Sequence, residues 1–337
     1  MKKWQYIFLA FLAVGTVIIL SQSKQQSEQG ELEYRSNQGT TFGTSYHITY
    51  LYTRDLQPEI EQTLQQVDNA LSMFNTNSVI SKVNNSLQVQ VTDTMFLKVF
   101  RRAMQTSDWT VGAFDITVAP AVNAWGFGFK HAENVKQSTI DSLLEITGYR
   151  KITENNGLIT KSDDRMMLDC SAIAKGFGSD MVAMKLRSLG IDNYMVEIGG
   201  EIVLSGRNPK GNDWSIGISK PIDDSLSTNR ELQTVIQATN IAMATSGNYR
   251  NFYIKDGRKY AHTIDPHTCQ PVSHNLLSVT VFASDCATAD AVATSMMVMG
   301  MEGAEELCTR HPEIKAFYIY QAEDGSTQTR YSFNFNL

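Results

Sequence analysis

The run "YRKITENNGLITKSDDRMMLDCSAIAKGFGSDMVAMKLRSLGIDNYMVEIGGEIVLSG", Tyr149 to Gly206, carries the element order that decides the fold. It opens with alternating residues on both sides of Asn156-Gly157, a pair suited to the positive φ values of a two-residue hairpin turn. "DRMMLDC" reads as a further strand. "AIAKGFGSDMVAMKLRSLG" predicts a helix closed by Gly190. "NYMVEIGGEIVLSG" then returns to strand. This order departs from the regular βαβ alternation of a parallel sheet.

The flanking sequence agrees. "TFGTSYHITYLY", from Thr41, alternates as a strand does. "PEIEQTLQQVDNALSMF" sets Ile60, Leu64, Val67, Leu71 and Phe74 at helical spacing, with Pro58 suited to the first turn. Thr94 to Ser107 predicts a second helix. "STIDSLLEITG" predicts a third, opened by an S-x-x-D capping pattern and stopped at Gly148. Strands are expected at "DWSIGIS", "LQTVIQATNIAMATSG", "LLSVTVF", "IKAFYIY" and "RYSFNF". "SDCATADAVATSMMVMG", Ser284 to Gly300, reads as a buried helix, with a shorter one near "GAEELC". The predicted class is α+β, with mixed, largely antiparallel sheets packed with helices in a single domain over 41–337.

The 337 residues include 42% hydrophobic side chains, enough for a sizeable core. A formal net charge of −6 and the absence of a dense Lys/Arg run after Lys3 give no support to nucleic-acid binding. Lys2 and Lys3 precede an apolar run from Trp4 to Leu20, at the short edge of membrane-spanning length. Residues 1–20 therefore read as a signal-anchor or a signal peptide. With only the weak Ser21-Gln22-Ser23 as a cleavage site, the uncleaved anchor is favoured. The two lysines would stay cytoplasmic, placing the body on the extracytoplasmic, periplasmic side. Residues 21–40, rich in Gln, Ser, Glu and Gly, are expected to be a flexible polar tether. Cys170, Cys269, Cys286 and Cys308 form no C-x-x-C pair, which excludes a zinc ribbon or thioredoxin-like motif and suits small buried residues.

Four segments carry polar groups in apolar or glycine-rich settings. "MLDCSAIAKGFGSD" passes from strand to helix through small residues, with Asp169 at the junction and Lys175 beyond it. Free N–H groups at such a helix start attract anions. An N-cap Asp and a solvated Lys would look the same. No G-x-G-x-x-G or Walker A pattern is present. "VGAFDITVAPAVNAWGFGFK" surrounds Asp115 with Phe114, Trp125, Phe127 and Phe129, either a wall for a planar ring or a core strand with an aromatic loop. In "MATSGNYRNFYIKDGRKYAHTIDPHTCQPV", His262 lies between a strand and the Asp265-Pro266 turn. His267 and His274 do not match a metal-binding helix. On the Ser284–Gly300 helix, Asp290 and Thr294 share a face. Oxygen donors of this kind suit a hard cation such as Mg²⁺, whereas the alternative is a buried Asp held by backbone donors with Thr294 bonded back to its carbonyl.

Taken together, "F-G-T-x-Y", "FN-x-x-S-x-I-S-x-x-N" from Phe74 to Asn84, "FDITVAP…WGFG", "LDxxxIAKGFGxD", "EIGGEI…G", "ATSGNYR", "HTIDP" and "DCATADAVAT" resemble the FAD:protein FMN transferases, the ApbE family. The resemblance spans about Phe42 to Gly300. It implies an ApbE-like, T-fold-like α+β enzyme that cleaves the FAD pyrophosphate. FMN would pass by a phosphoester bond to a Thr or Ser of an exported acceptor protein, such as a respiratory redox-complex subunit, with release of AMP. The resemblance assigns Ala172 (through its carbonyl), Asp290 and Thr294 as Mg²⁺ ligands. Phe42, Ala113, Phe114, Asp115, Asp169, Lys175 and Ile264 would contact FAD, and His262 would be the general base. These roles are chemically coherent. A cation and Lys175 can neutralise charge building on the departing AMP. An imidazole, with an ordinary pKa of about 6.5, can accept the proton of a hydroxyl. The chain departs from the family where Phe42 replaces a frequent Met, where Cys170-Ser171 replaces a Leu-Gly-like pair, and where Cys269 replaces the Gly after the "DPxT" turn. The rival readings are a Mg²⁺-dependent FAD pyrophosphatase and a non-catalytic FAD-binding protein.

Overall fold

A computed structural model describes residues 30–128, 135–222, 231–249, 252–255 and 258–336. The predicted membrane segment, 1–20, lies outside them. Among the described residues no helix is long and apolar enough to cross a membrane.

Eight strands make one antiparallel sheet in simple chain order: β1 (Glu33–Thr41), β2 (Thr44–Tyr52), β3 (Tyr194–Ile198), β4 (Glu201–Ser205), β5 (Ala242–Gly247), β6 (Leu276–Ala283), β7 (Lys315–Gln321) and β8 (Thr327–Tyr331). The largely antiparallel α+β class is thus observed. The long connections between neighbouring strands hold everything else. The segment between β2 and β3 contains helices α1 (Gln57–Leu71), α2 (Thr94–Trp109) and α3 (Ser171–Ser188), and β6 leads to β7 through α4 (Cys286–Arg310).

Period-two alternation gives the sheet two apolar faces. Tyr46, Ile48 and Tyr50 of β2 pack with Ile60 and Leu64 of α1 and Val182 and Leu186 of α3. Val279 and Val281 of β6 meet Val292 and Met296 of α4. The next residue, Phe282, with Ile202 and Leu204 of β4, packs on the opposite face against Trp214, Ile216 and Ile236. Those residues belong to the hairpin Trp214–Ser219/Leu232–Ala238, so one face carries helices and the other a small sheet. Each such burial contributes roughly 1.5–3 kcal/mol before entropy is charged against it.

Several expectations need correction. Residues 33–40, expected within a flexible tether, form most of β1 and pair with β2 from Glu33↔Tyr52 to Thr41↔Thr44. Their polar composition is that of an edge strand, which needs no second apolar neighbour. The turn between them holds Phe42 at φ 48° and Gly43 at φ 74°. α1 stops at Leu71, leaving Phe74 72% exposed. The "STIDSLLEITG" helix begins at Gln137 without a side-chain cap, because Asp141 accepts from Gln137 Nε2 instead. The Asn156-Gly157 hairpin forms as expected, with both residues at positive φ. "DRMMLDC" is no strand. The Asn84 amide supplies both bonds that a ladder partner would have made, donating to the Leu168 carbonyl and accepting from the Leu168 N–H. All four cysteines are free and buried.

α3 and α4 cross closely, and that crossing positions the site. Two carboxylates hold the start of α4. Asp285 is its N-cap and accepts from the Thr288 N–H, while Asp180 of α3 accepts from the N–H groups of Cys286 and Ala287. Burial pushes the Asp180 carboxyl up to about 7, against the two N–H bonds that favour its charge. At Gly300 (φ 72°) α4 breaks and resumes, as two adjoining helices would, and His274 Nε2 donates to the Met297 carbonyl beside the break. At the crossing itself, a Cβ on Gly176 would lie 2.2 Å from the Cys286 carbonyl oxygen and 2.8 Å from Asp290 Cβ. Gly176→Ala is therefore expected to separate the helices and cost about 1–3 kcal/mol. Thermal denaturation reads this as a lowered Tm, and an unchanged Tm would show that the crossing has slack.

Candidate active site

A cleft of about 980 Å³ opens where the inter-strand connections converge. The loop preceding α3, the first turns of α3, the start of β4, the Ala113–Ile116 segment and the 262–266 turn all reach it. Of the predicted site residues, Ala113, Phe114, Asp115, Asp169, Ala172, Lys175, His262, Ile264, Asp290 and Thr294 line it. Phe42 is not among the residues that do. Its ring lies against Gly178 of α3, where an added Cβ would be 2.7 Å from the ring edge, because the left-handed turn conformation aims it at the helix.

The charged centre lies at the helix crossing. Asp290, 5% exposed, accepts from the Gly176 N–H at 3.0 Å through Oδ2. In a regular helix that N–H belongs to the Ala172 carbonyl, so Asp290 meets α3 at the donor paired with that carbonyl. The Thr294 hydroxyl makes no hydrogen bond among the described residues, so the bond back to the Asp290 carbonyl is not seen there. Lys175 Nζ lies 3.7 Å from Asp290 Oδ2 and 3.3 Å from Glu201 Oε1. Burial opposes the Lys175 charge, but Asp290 and Glu201 outweigh it and hold the ammonium above the usual lysine range. Burial pushes the Glu201 carboxyl up, and Lys175 works against that push. Among the described residues no three His, Cys, Asp or Glu side chains gather as a metal cluster. Asp290, Thr294 and Ala172, which line the same cleft, offer one carboxylate, one hydroxyl and one carbonyl, hard oxygens that fit a Mg²⁺-type cation retaining waters or taking phosphate.

The remaining walls come from loops locked by their own polar groups. Asp115 Oδ1 accepts from the N–H and hydroxyl of Thr117, and Oδ2 accepts from the Tyr149 N–H. Its carboxylate is thus spent on shaping the loop, as are the N–H groups of Ala113 and Phe114, which donate to the Thr110 carbonyl and hydroxyl. Burial still pushes that carboxyl up. Asp169 Oδ1 accepts from the Ser171 N–H. His262 is half-buried, and the Phe127 ring stands edge-on to it at 6.4 Å. Phe127 stacks on Tyr253 at 5.3 Å, Tyr253 on Tyr260 at 5.2 Å and Tyr260 on Trp125 at 5.7 Å, a ladder supporting the His262 side of the cleft. Phe129 lies outside the described residues. Trp125 Nε1 donates to the Cys269 carbonyl, and Cys269 sits at φ 51°. That left-handed conformation is one that glycine adopts without steric cost. Sequence reasoning assigned no role to Glu201, although "EIGGEI" marked its position.

The family model for the ApbE family matches residues 42–318. The chain belongs to this family. As a member of the ApbE family it is an enzyme, a transferase. It is 36% identical over 335 residues to the FAD:protein FMN transferase of Vibrio cholerae serotype O1, covering 96% of each. It is 37% identical over 331 residues to that of Haemophilus influenzae, covering 93% of this chain and 94% of the relative. The solved flavin transferase ApbE from Vibrio cholerae superposes with a TM-score of 0.81 at 37% identity, over 90% of this chain and 99% of that one. The apo flavinyl transferase ApbE of Pseudomonas stutzeri gives a TM-score of 0.81 at 30% identity, over 90% of this chain and 96% of that one.

Proposed function

We propose that the chain is a Mg²⁺-dependent FAD:protein FMN transferase that modifies a Thr or Ser of an exported acceptor protein. The observation that carries this reading is the convergence in one cleft of an oxygen donor set, the Lys175 ammonium and the His262 imidazole. Ala172, Asp290 and Thr294 would hold the cation, which would neutralise pyrophosphate charge there. Lys175 and the N–H groups around Asp169 would meet the phosphates, and the Ala113–Asp115 and Ile264 backbone would meet the rest of FAD. The acceptor hydroxyl oxygen attacks the FMN-side phosphorus, the bond to the AMP phosphate breaks, and His262 takes the hydroxyl proton. FMN ends in a phosphoester bond to the acceptor and AMP departs. The basic, apolar N-terminus supports a chain held in the inner membrane with its catalytic body on the periplasmic side, where a respiratory flavoprotein subunit fits as acceptor.

The full chain, incubated with FAD, Mg²⁺ and an acceptor carrying a flavinylation site, is expected to add one FMN to the acceptor, read by intact-protein mass spectrometry. Free FMN and AMP without an adduct would make it a pyrophosphatase. Intact bound FAD would make it a carrier.

A further inference from the structure

Glu201 begins β4 directly after Gly199-Gly200, is 3% exposed and lines the cleft beside Lys175. Its Oε1 is 3.3 Å from Lys175 Nζ, while the buried Oε2 has no hydrogen-bond partner among the described residues. The same ammonium is 3.7 Å from Asp290 Oδ2. One lysine thus stands between two buried carboxylates and leans toward the one outside the proposed cation set. Building on the reading of Asp290 as a cation ligand, we propose that Glu201 is a positioning residue that holds Lys175 off Asp290, so that a divalent cation and the ammonium occupy the cleft together.

The need arises from electrostatics. An ammonium paired with Asp290 competes with a cation for that carboxylate, and in a buried setting their mutual repulsion is weakly screened. Lys175 is half-buried and otherwise reaches only the neutral Ser171 carbonyl at 3.4 Å, so leaving it without a counter-charge is costly. Glu201 resolves the conflict with an acceptor that is still unspent. When a cation takes Asp290, the ammonium can exchange that contact for Oε2. The cluster's charge fits the same division. With both carboxylates ionised, the pair and one ammonium leave a single negative charge, which a divalent cation reverses and a bound diphosphate restores. The backbone fixes Glu201 for this task, since its carbonyl accepts from Ser179 Oγ of α3, the helix that carries Lys175.

The test is Mn²⁺ titration of the FAD-free full chain, followed by the electron paramagnetic resonance signal of free Mn²⁺. In Glu201→Gln, Lys175 turns to Asp290 and Mn²⁺ affinity is expected to fall about tenfold. Lys175→Met, which removes the competitor, is expected to bind Mn²⁺ tighter than the wild type. The double variant Glu201→Gln/Lys175→Met is expected to recover at least the wild-type affinity. That rescue would not follow if Glu201 served only as a structural residue or as a ligand. Wild-type affinity in Glu201→Gln, or a double variant as weak as Glu201→Gln alone, overturns the proposal. If Glu201→Gln does not fold, Lys175→Met decides, and an affinity equal to or weaker than the wild type overturns it. Asp290→Ala separates the two readings. Unchanged Mn²⁺ binding in that variant removes the cation assignment itself, whereas binding that needs Asp290 but ignores Glu201 removes only the positioning role.

Discussion

Asp290→Ala is expected to lower FMN transfer by about a thousandfold or more and to remove its response to added Mg²⁺. The side chain is almost fully buried at the α3–α4 crossing, and it is the one carboxylate in the proposed donor set. Without it, the Thr294 hydroxyl and the Ala172 carbonyl are neutral oxygens and cannot offset the cost of stripping water from a divalent cation. The fold has alternatives for the groups left behind. The Gly176 N–H has the Ala172 carbonyl as its ordinary helical acceptor, and Lys175 keeps Glu201. The loss therefore falls on activity and on cation-linked stability rather than on folding. Two measurements check it. The first is turnover with increasing Mg²⁺. The second is the rise in Tm that a bound ligand gives the wild type and is expected to be missing from the variant. Wild-type turnover in Asp290→Ala would refute the ligand assignment.

Much of this arrangement is legible in sequence because its determinants are local. Asn156-Gly157 marks its hairpin through turn chemistry, and Gly190 closes α3 at φ 76°. Asp290 and Thr294 share a face wherever that helix sits. What escapes the sequence is set by partners distant along the chain. β1 looks like a tether because its strand character comes from β2 rather than from its own apolar content. "DRMMLDC" has the alternation of a strand, yet the Asn84 side chain, far earlier in the chain, occupies the place of a ladder neighbour. The packing of the Phe42 ring against Gly178 depends on a helix far along the chain. Glu201 has no distinguishing local chemistry. Its meaning comes from standing 3.3 Å from a lysine on another element, one that also approaches Asp290.

His262→Ala is expected to reduce transfer about 10²–10⁴-fold while leaving FAD binding nearly intact. The asymmetry follows from where the residue sits. The Asp290–Lys175–Glu201 centre is built on α3, α4 and β4, whereas His262 projects from a separate turn backed by the aromatic ladder. Removing its imidazole leaves the proposed phosphate and cation groups in place but removes the proposed proton acceptor for the acceptor hydroxyl. A neutral hydroxyl is a poor nucleophile, so the deficit falls on the transfer step. The pH profile distinguishes this from a mere packing defect. Protonation of an imidazole base gives the wild type a declining acid limb, and that limb is expected to vanish in the residual activity of the variant. Transfer rates and FAD affinity measured across pH decide the matter. A wild-type rate, or an acid limb that persists without the histidine, rules out the base role. A fall in FAD affinity as large as the fall in transfer would recast His262 as a binding residue.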